Sequence, residues 1–421
     1  MDASPVAKLG PRFTLLWTAS AISGLGDGVT MVAAPLLIAS MTSSPLVVSG
    51  ATFAATLPWL LFSLLSGGLV DRLDRRRVMV VVDWIRAVTI GVLGVAVALH
   101  RESVVLLYAV LFLLGTGETL FRAASMSMLP AVVQPDLLER ANGRLSAART
   151  VVHDMIAGPL GGLLFAAAAA APFLLDAGSF VVGALLLSLL PGTYREGQAP
   201  GAPAAERASL WSEIATGVRW LLAHRLLRTL AVLIGLLNVT LTAAMSILVL
   251  LATERLGLGS VGYGALFTAL AAGGLLGALV GERLVRRFTA SVTLRVGLVV
   301  ETLFHLTMAL STSPIAVGAI LALFGVHGSL WMIVTMSLLQ RLTPAAMLGR
   351  VNSAYLFLAA GGTAFGAVLG GVVATHFGLT APYWIGFVVA AAVTAATWRV
   401  FDRRSMAAAT STAADAATAT V

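Results

Sequence analysis

Gly67-Gly68-Leu69-Val70-Asp71-Arg72-Leu73-Asp74-Arg75-Arg76-Arg77 is a short cationic turn between two long apolar runs, and a weaker copy lies half a chain further on. An offset of 210 residues carries Gly67 onto Gly277, Leu69 onto Leu279, Val70 onto Val280, Arg76 onto Arg286 and Arg77 onto Arg287. The same offset carries Leu138, Arg140 and Asn142 onto Leu348, Arg350 and Asn352, and Gly161 onto Gly371. Three separate places agreeing on one shift imply two copies of one unit in the same orientation.

The composition says where such a unit lives. Of 421 residues, 58% are hydrophobic and 11% charged, with a mean hydropathy of +0.95. A water-soluble domain carries about a quarter of its residues charged. Apolar runs of about 18 residues or more recur, each long enough to cross a hydrocarbon core of about 30 Å as a helix. Twelve such runs lie near 13–39, 46–70, 78–99, 103–127, 146–170, 172–190, 228–252, 261–281, 291–311, 314–338, 351–375 and 382–401. The expected fold is an all-α membrane protein, with twelve transmembrane helices in two parallel six-helix pseudo-repeats. Secondary transporters are one class built this way.

Charge placement agrees with that layout. Of the 27 Lys and Arg, all but Arg86, Arg101, Arg122 and Arg255 fall in the N-terminus, the even-to-odd connections or the C-terminus, counting span ends within a few residues of them. The positive-inside rule then puts both termini in the cytoplasm and makes the number of spans even. The basic balance, net +8, follows from topology, and nucleic-acid binding is not needed to explain it. The chain has no Cys, which excludes disulfides and thiolate metal sites. The first apolar run is too long for a cleaved signal peptide and contains Asp27, so it is expected to be span 1.

Four regions follow: a six-helix bundle over 1–190, a cytoplasmic linker over 191–227, a second bundle over 228–404 and a disordered tail over 405–421. The linker is broken by Pro191, Gly192, Pro200, Gly201 and Pro203. Beyond them Leu210, Ile214, Val218, Leu221 and Leu222 recur at helical spacing, flanked by Trp211 and Trp220. That pattern suits a helix lying in the membrane interface or one packed on the bundle. In span 8, Gly273, Gly277 and Gly281 at spacing four let two helix backbones approach closely.

The opening turn, read as Gly67-x-x-x-Asp71-Arg72-x-x-Arg75-Arg76, resembles the signature between the second and third helices of the major facilitator superfamily. That resemblance implies a conformational switch formed by Gly67, Asp71, Arg72, Arg75 and Arg76, which locks cytoplasmic helix ends together in one state. Asp74 stands where the family usually has Gly. Gly158-Pro159-Leu160-Gly161-Gly162 resembles the superfamily's antiporter motif, with one residue fewer between the Pro and the Gly pair. Pro159 removes a backbone donor, so a bend is expected there. Gly158, Gly161 and Gly162 would let a neighbouring helix close on it as a seal. Leu129-Pro130-Ala131-Val132-Val133 with Arg140-Ala141-Asn142, Leu175-Asp176-Ala177-Gly178-Ser179-Phe180 and Gly349-Arg350-Val351-Asn352-Ser353 resemble the drug-exporter branch, which contains macrolide exporters and the enterobactin exporter.

Ionisable groups inside spans are the site candidates, because a charge at mid-bilayer costs ~2.5–3.5 kcal/mol even on insertion scales. Asp27 sits near the middle of span 1 in Gly24-Leu25-Gly26-Asp27-Gly28. Burial disfavours a charged carboxylate, which suits a carboxyl to loading and releasing a proton. Asp27 is therefore the first candidate for proton coupling; a hydrogen bond to a Ser or Thr of another helix is the alternative. Glu118 and Arg122 lie four apart on one face of span 4, positioned either for a buried ion pair that a proton or cationic substrate breaks or for a permanent structural pair. Glu301 and His305 repeat the spacing in span 9, where a His suits a proton relay. Asp83 with Arg86, and His153 with Asp154, are expected near the cytoplasmic face, pairing locally or contacting the Arg72–Arg77 turn. Asp176 is expected near the outer end of span 6, and His327 as a packing residue.

No Walker-type phosphate loop is present, and the histidines are scattered, so neither an ATP-driven pump nor a membrane-embedded enzyme is expected. The resemblance implies a transporter of the bacterial inner membrane, without cofactor or metal, acting as a monomer with the lipid bilayer, a small-molecule substrate and a coupling proton as partners. It would export drug-like or amphipathic small molecules by proton antiport with alternating access. A siderophore, an endogenous natural product or a lysolipid would be carried by the same fold.

Overall fold

A computed structural model describes residues 9–70, 73–194, 210–344 and 347–402, and among them every regular element is helical. Asp71 and Arg72 of the opening turn, much of the linker and the tail lie outside the described residues.

The order is α1 (Gly10–Met41), α2 (Pro45–Val70), α3 (Arg75–Ala98), α4 (Val104–Val132), α5 (Leu138–Ala148), α6 (Ala157–Ala167) and α7 (Ala171–Ser188). Then come α8 (Leu210–Ala223), α9 (Arg225–Met245), the short α10 (Leu248–Leu250), α11 (Ser260–Leu310), α12 (Pro314–Leu342), α13 (Leu348–Phe377) and α14 (Ala381–Thr397). The chain falls into two compact units. The first takes α1, α2 from Ala54, α3 to α7 and Ser260–Thr268 of α11; the second takes Thr42–Phe53, α8 to α10, the rest of α11 and α12 to α14.

Helix starts follow local chemistry. The Asp74, Ser103 and Ser313 side chains cap α3, α4 and α12 by accepting from a backbone N–H three residues on, satisfying a donor the helix leaves orphaned. Ser103 and Ser313 are separated by the repeat offset of 210. Among the described residues, ten helices are long and apolar enough to cross a membrane, and Ala381–Thr397 is a shorter apolar one.

Two predicted spans take a different form. The run expected at 146–170 starts earlier, at Leu138, and passes through a π-helical stretch, Arg149–Ile156, before α6. The looser winding stands just before Pro159, whose ring would crowd the carbonyl one turn back, so the bend expected there is a change of helical register. The predicted break between spans 8 and 9 falls at Thr289, where φ 69° and ψ 155° separate two helices within Ser260–Leu310, and the connection up to that point is helical. Glu282, Arg283, Leu284, Arg286 and Arg287 are adequate helix formers, and nothing before Thr289 stops the helix.

α3 shows the solvent for which the surface is built. Met79, Val82, Asp83, Arg86, Ile90 and Leu93 are buried, whereas Val81, Trp84, Ile85, Val88, Val92 and Val95 are exposed. Beyond its first turn, its charges Asp83 and Arg86 face inward and its apolar stripe outward, the reverse of a helix in water. Close backbone approach supplies much of the packing, as expected where lipid offers no hydrophobic drive between helices. A methyl added at Gly161 would meet Val29 of α1, and one at Gly277 would meet Val326 and Ser329 of α12. Ser329 Oγ also donates to the Gly274 carbonyl at 2.7 Å. α8 packs on α13 where Gly217 backs onto Arg350, with Leu221 fully buried beside Leu226 and Leu338.

Candidate functional site

Arg86 of α3 is the hub of the first unit. It is 1% exposed. Its guanidinium contacts Asp27 Oδ1 of α1, lies 3.3 Å from Glu118 Oε2 of α4 and 3.8 Å from Asp83 Oδ1 one turn away. The ring of Phe180 from α7 sits 4.1 Å from it, so the cation rests on an aromatic face. Small residues make the room. A methyl at Gly117 would stand 2.8 Å from the Arg86 stem, so only a glycine beside Glu118 lets α3 bring its Arg onto α4. Gly26 backs onto Asp176 and Ser179, and Gly28 onto His153 and Ala157, which holds the Asp27 turn of α1 against its neighbours.

Three carboxylates thus surround one guanidinium, more negative charge than the cation balances in a poorly solvated place. Asp83 is fully buried and accepts from Ser23 Oγ at 3.4 Å. Arg86 Nε and Nη1 and Asp83 Oδ1 have no hydrogen-bond partner among the described residues. Asp27 and Glu118 are the exposed members, their side chains 22% and 29% accessible. Both face a cavity of about 410 Å³ within this unit. Its wall adds Ser20, Asn142 and His153, and two further cations, Arg122 and Arg149. Asp176, fully buried behind the cluster, accepts from Thr30 Oγ1 at 2.5 Å and Ser179 Oγ at 3.3 Å.

The structure re-pairs several candidates. Glu118 is joined to Arg86 and not to Arg122, which lies over the Trp59 ring at 5.5 Å. The i, i+4 rule assumes an isolated helix, and here the neighbouring helix delivers a better-placed cation. Asp83 and Arg86 do pair one turn apart, at 3.8 Å, but inside the central cluster. Asp176 is an interior group. His153 Nδ1 does lie 2.8 Å from Asp154 Oδ1. In the second unit, Glu301 Oε1 is 3.6 Å from His305 Nε2 on the same face of α11, and Glu301 Oε2 is 3.4 Å from His327 Nε2 of α12. His327 therefore joins a cluster that spacing alone could not reveal. Arg86 was legible: Asp83 and Arg86 lie one turn apart, off the Val81–Ile85–Val88 stripe.

At the opening turn, Gly67 ends up inside α2. Asp74 accepts from the Arg77 N–H at 3.0 Å and from the Tyr194 N–H at 3.1 Å, so the residue that departs from the family's Gly caps α3 and ties down the chain after α7. Arg75 N–H donates to the Tyr194 carbonyl. Arg76 donates to the carbonyls of Leu187, Ser188 and Gly192, a cation on the C-terminal end of α7. Asp74→Ala should cost about 1 kcal/mol, the usual worth of an N-cap, read as a lowered melting temperature of the purified protein with cavity binding unchanged. In α6, Gly158 and Gly162 back onto Gly264 and Ser260, and Gly161 onto Val29. Among the described residues, no three His, Cys, Asp or Glu side chains are arranged to hold a metal ion.

Inward charges, outward apolar faces and a cavity bearing ionisable side chains among lipid-length helices fit a polytopic membrane carrier. Residues 3–419 match the family described as transmembrane secretion effectors. The chain belongs to that family, a group of major facilitator exporters, and its relatives are transporters, not enzymes. It is 28% identical over 391 residues to the multidrug efflux pump Tap of Mycolicibacterium fortuitum, covering 89% of this chain and 92% of that one. It is 30% identical over 372 residues to the enterobactin exporter EntS of Salmonella typhimurium, covering 86% and 85%. Among solved structures, the nucleoside transporter NupG matches with a TM-score of 0.73 at 11% identity, covering 93% of this chain and 100% of that one. A bacterial homologue of the iron transporter ferroportin in an inward-facing state matches with a TM-score of 0.69 at 18% identity, covering 92% and 98%. At such identities the structural likeness speaks for the fold alone.

Proposed function

We propose that this protein exports drug-like, amphipathic small molecules across the bacterial inner membrane by proton antiport with alternating access. The observation that carries it is the cavity floor, where Asp27 and Glu118 share the single charge of Arg86. A cationic group entering the cavity competes with protons for those carboxylates, and that competition is what couples two opposite fluxes. Twelve spans in two parallel six-helix repeats support alternating access. The ten long helices become twelve when α11 is divided at Thr289 and Ala381–Thr397 is counted. The Arg-rich connections orient both termini to the cytoplasm, and one chain holds the whole cavity. The turn containing Gly67, Asp71, Arg72, Arg75 and Arg76 serves as the switch between states, with Arg76 anchored on α7. Gly158, Pro159, Gly161 and Gly162 form the bend and seal.

An anionic cargo, such as a siderophore, another endogenous natural product or a lysolipid, is favoured by a different observation: Arg122 and Arg149 line the same cavity. Liposomes holding the wild type, Asp27→Asn or Glu118→Gln, under an imposed pH gradient, test both. Wild type should accumulate ethidium against its gradient and Asp27→Asn should lose at least about 90% of that flux, a tenfold effect worth about 1.4 kcal/mol. Unchanged gradient-driven flux in Asp27→Asn removes the coupling role. Transport of an anionic dye but not of ethidium, lost in Arg122→Gln, transfers the cargo assignment to anions.

A further inference from the structure

We infer that Glu301, His305 and His327 form a proton-binding site in the second unit, distinct from the carboxylates around Arg86. The three side chains are 4%, 0% and 8% exposed. Each imidazole turns its Nε2 to a different oxygen of the same carboxylate, at 3.6 and 3.4 Å. Neither ring nitrogen of His305 has a hydrogen-bond partner among the described residues, nor has Glu301 Oε1. An unpartnered imidazole against a carboxylate in an apolar interior is costly unless a proton joins them.

The surroundings leave the charge of the cluster to its own protons. Phe304 packs 5.1 Å from the His305 ring, and Phe324 and Trp331 pack 5.4 and 5.7 Å from that of His327. From α14, the element packed on His305 is Gly386, which brings no charge. No Lys, Arg, Asp or other Glu pairs with the three groups among the described residues. One carboxylate with two imidazoles carries −1, 0 or +1 as it holds none, one or two added protons, and the neutral state is favoured where water is scarce.

Its place in the fold shows that the site is built and not incidental. The offset of 210 carries Gly117 onto His327. In the first unit a glycine of α4 at this position makes room for a permanent cation from α3. In the second unit the bulk comes from α12, and Gly297 of α11 makes room, with a methyl there standing 2.8 Å from the His327 ring. The same helix seam thus holds an arginine in one unit and two titratable imidazoles in the other. Where the proposed antiport holds, the triad supplies a second proton to the cycle; its proton binding does not depend on that function.

Nitrogen-15 NMR of the full chain labelled at its six histidines, in lipid nanodiscs without cargo, tests this. Resonances are assigned by His305→Gln and His327→Gln. With the pH varied from about 5 to about 8, the two wild-type resonances should move together as the cluster gains or loses a proton. Glu301→Gln should weaken proton binding at both by about tenfold or more, leaving the other four unaltered. His327→Gln should change the His305 titration in the same experiment, which keeps the test open if Glu301→Gln does not fold. Two imidazoles fixed in one charge state across that range, or titrations indifferent to both substitutions, would overturn the inference. So would stoichiometric Co²⁺ broadening both resonances, since the three groups would then be a cation site. Because no cargo is present, failure here leaves the Asp27 flux result standing.

Discussion

Replacing Arg86 with Met should lower the stability of the folded protein by about 3–5 kcal/mol, the usual consequence of removing one partner from a buried ion pair, and abolish cargo flux. Arg86 is fully buried and is the cation within 4 Å of Asp27, Asp83 and Glu118. Methionine fills the space against Phe180 and Gly117 but leaves three carboxylates to be neutralised by protons or water. Arg86→Lys should fall between wild type and Arg86→Met, because a compact ammonium cannot reach several carboxylates as a planar fork does. Asp83→Asn added to Arg86→Met should recover part of the stability and none of the flux, since it removes a buried charge without restoring the partner of Asp27 and Glu118. Thermal melting in detergent separates these variants; a stable, transporting Arg86→Met protein would show that the hub has been misassigned.

Gly366→Leu in α13 should prevent the second unit from packing and yield little monodisperse protein. A side chain at Gly366 would run into the Val239 carbonyl of α9, with Val239 Cα and C at 2.9 and 3.0 Å. Gly362 meets Gly235 and Gly370 meets Ala243 along the same seam, and Asn238 Nδ2 donates to the Ala359 carbonyl at 3.3 Å. These obstacles are backbone atoms, so a rotamer change cannot relieve the clash. Gly366→Ala should be intermediate, costing about 1–3 kcal/mol as overpacking generally does. Gly328→Ala is the control: open space surrounds it on α12, and replacing a helical glycine there should be neutral or stabilising by about 1 kcal/mol. Size-exclusion profiles and melting temperatures report both. Equal behaviour of Gly366→Leu and Gly328→Ala would mean that α9 and α13 do not approach so closely.

Much of this was legible because membrane helices obey local rules. Pro159 forecasts the change of register beside it, and the glycines of α11 forecast a close approach to another helix, which proves to be α12. The sequence also isolates the ionisable groups that lipid should exclude. It does not say which of them meet. Glu118 has a suitable partner four residues on, yet Gly117 admits Arg86 from another helix and the local rule loses. His327 has no charged neighbour in sequence, and only the crossing of α11 and α12 over Gly297 brings it to Glu301. Partnerships inside a helical bundle depend on which helices adjoin and at what height, and small residues set both without carrying chemistry of their own. The connection before Thr289 has the complementary cause: made of helix formers, it stays helical up to the kink and does not announce where the break falls.

The central claim is that proton exchange at Asp27 and Glu118, balanced by Arg86, drives cargo in the opposite direction. The direct measurement is proton movement produced by a cargo gradient alone, read with a pH-sensitive dye trapped in liposomes at equal starting pH. With ethidium loaded on one side, wild type should move protons toward the ethidium as it leaves, and Asp27→Asn should move none above empty liposomes. Protons travelling in the same direction as ethidium, or an Asp27→Asn signal equal to wild type, would contradict it.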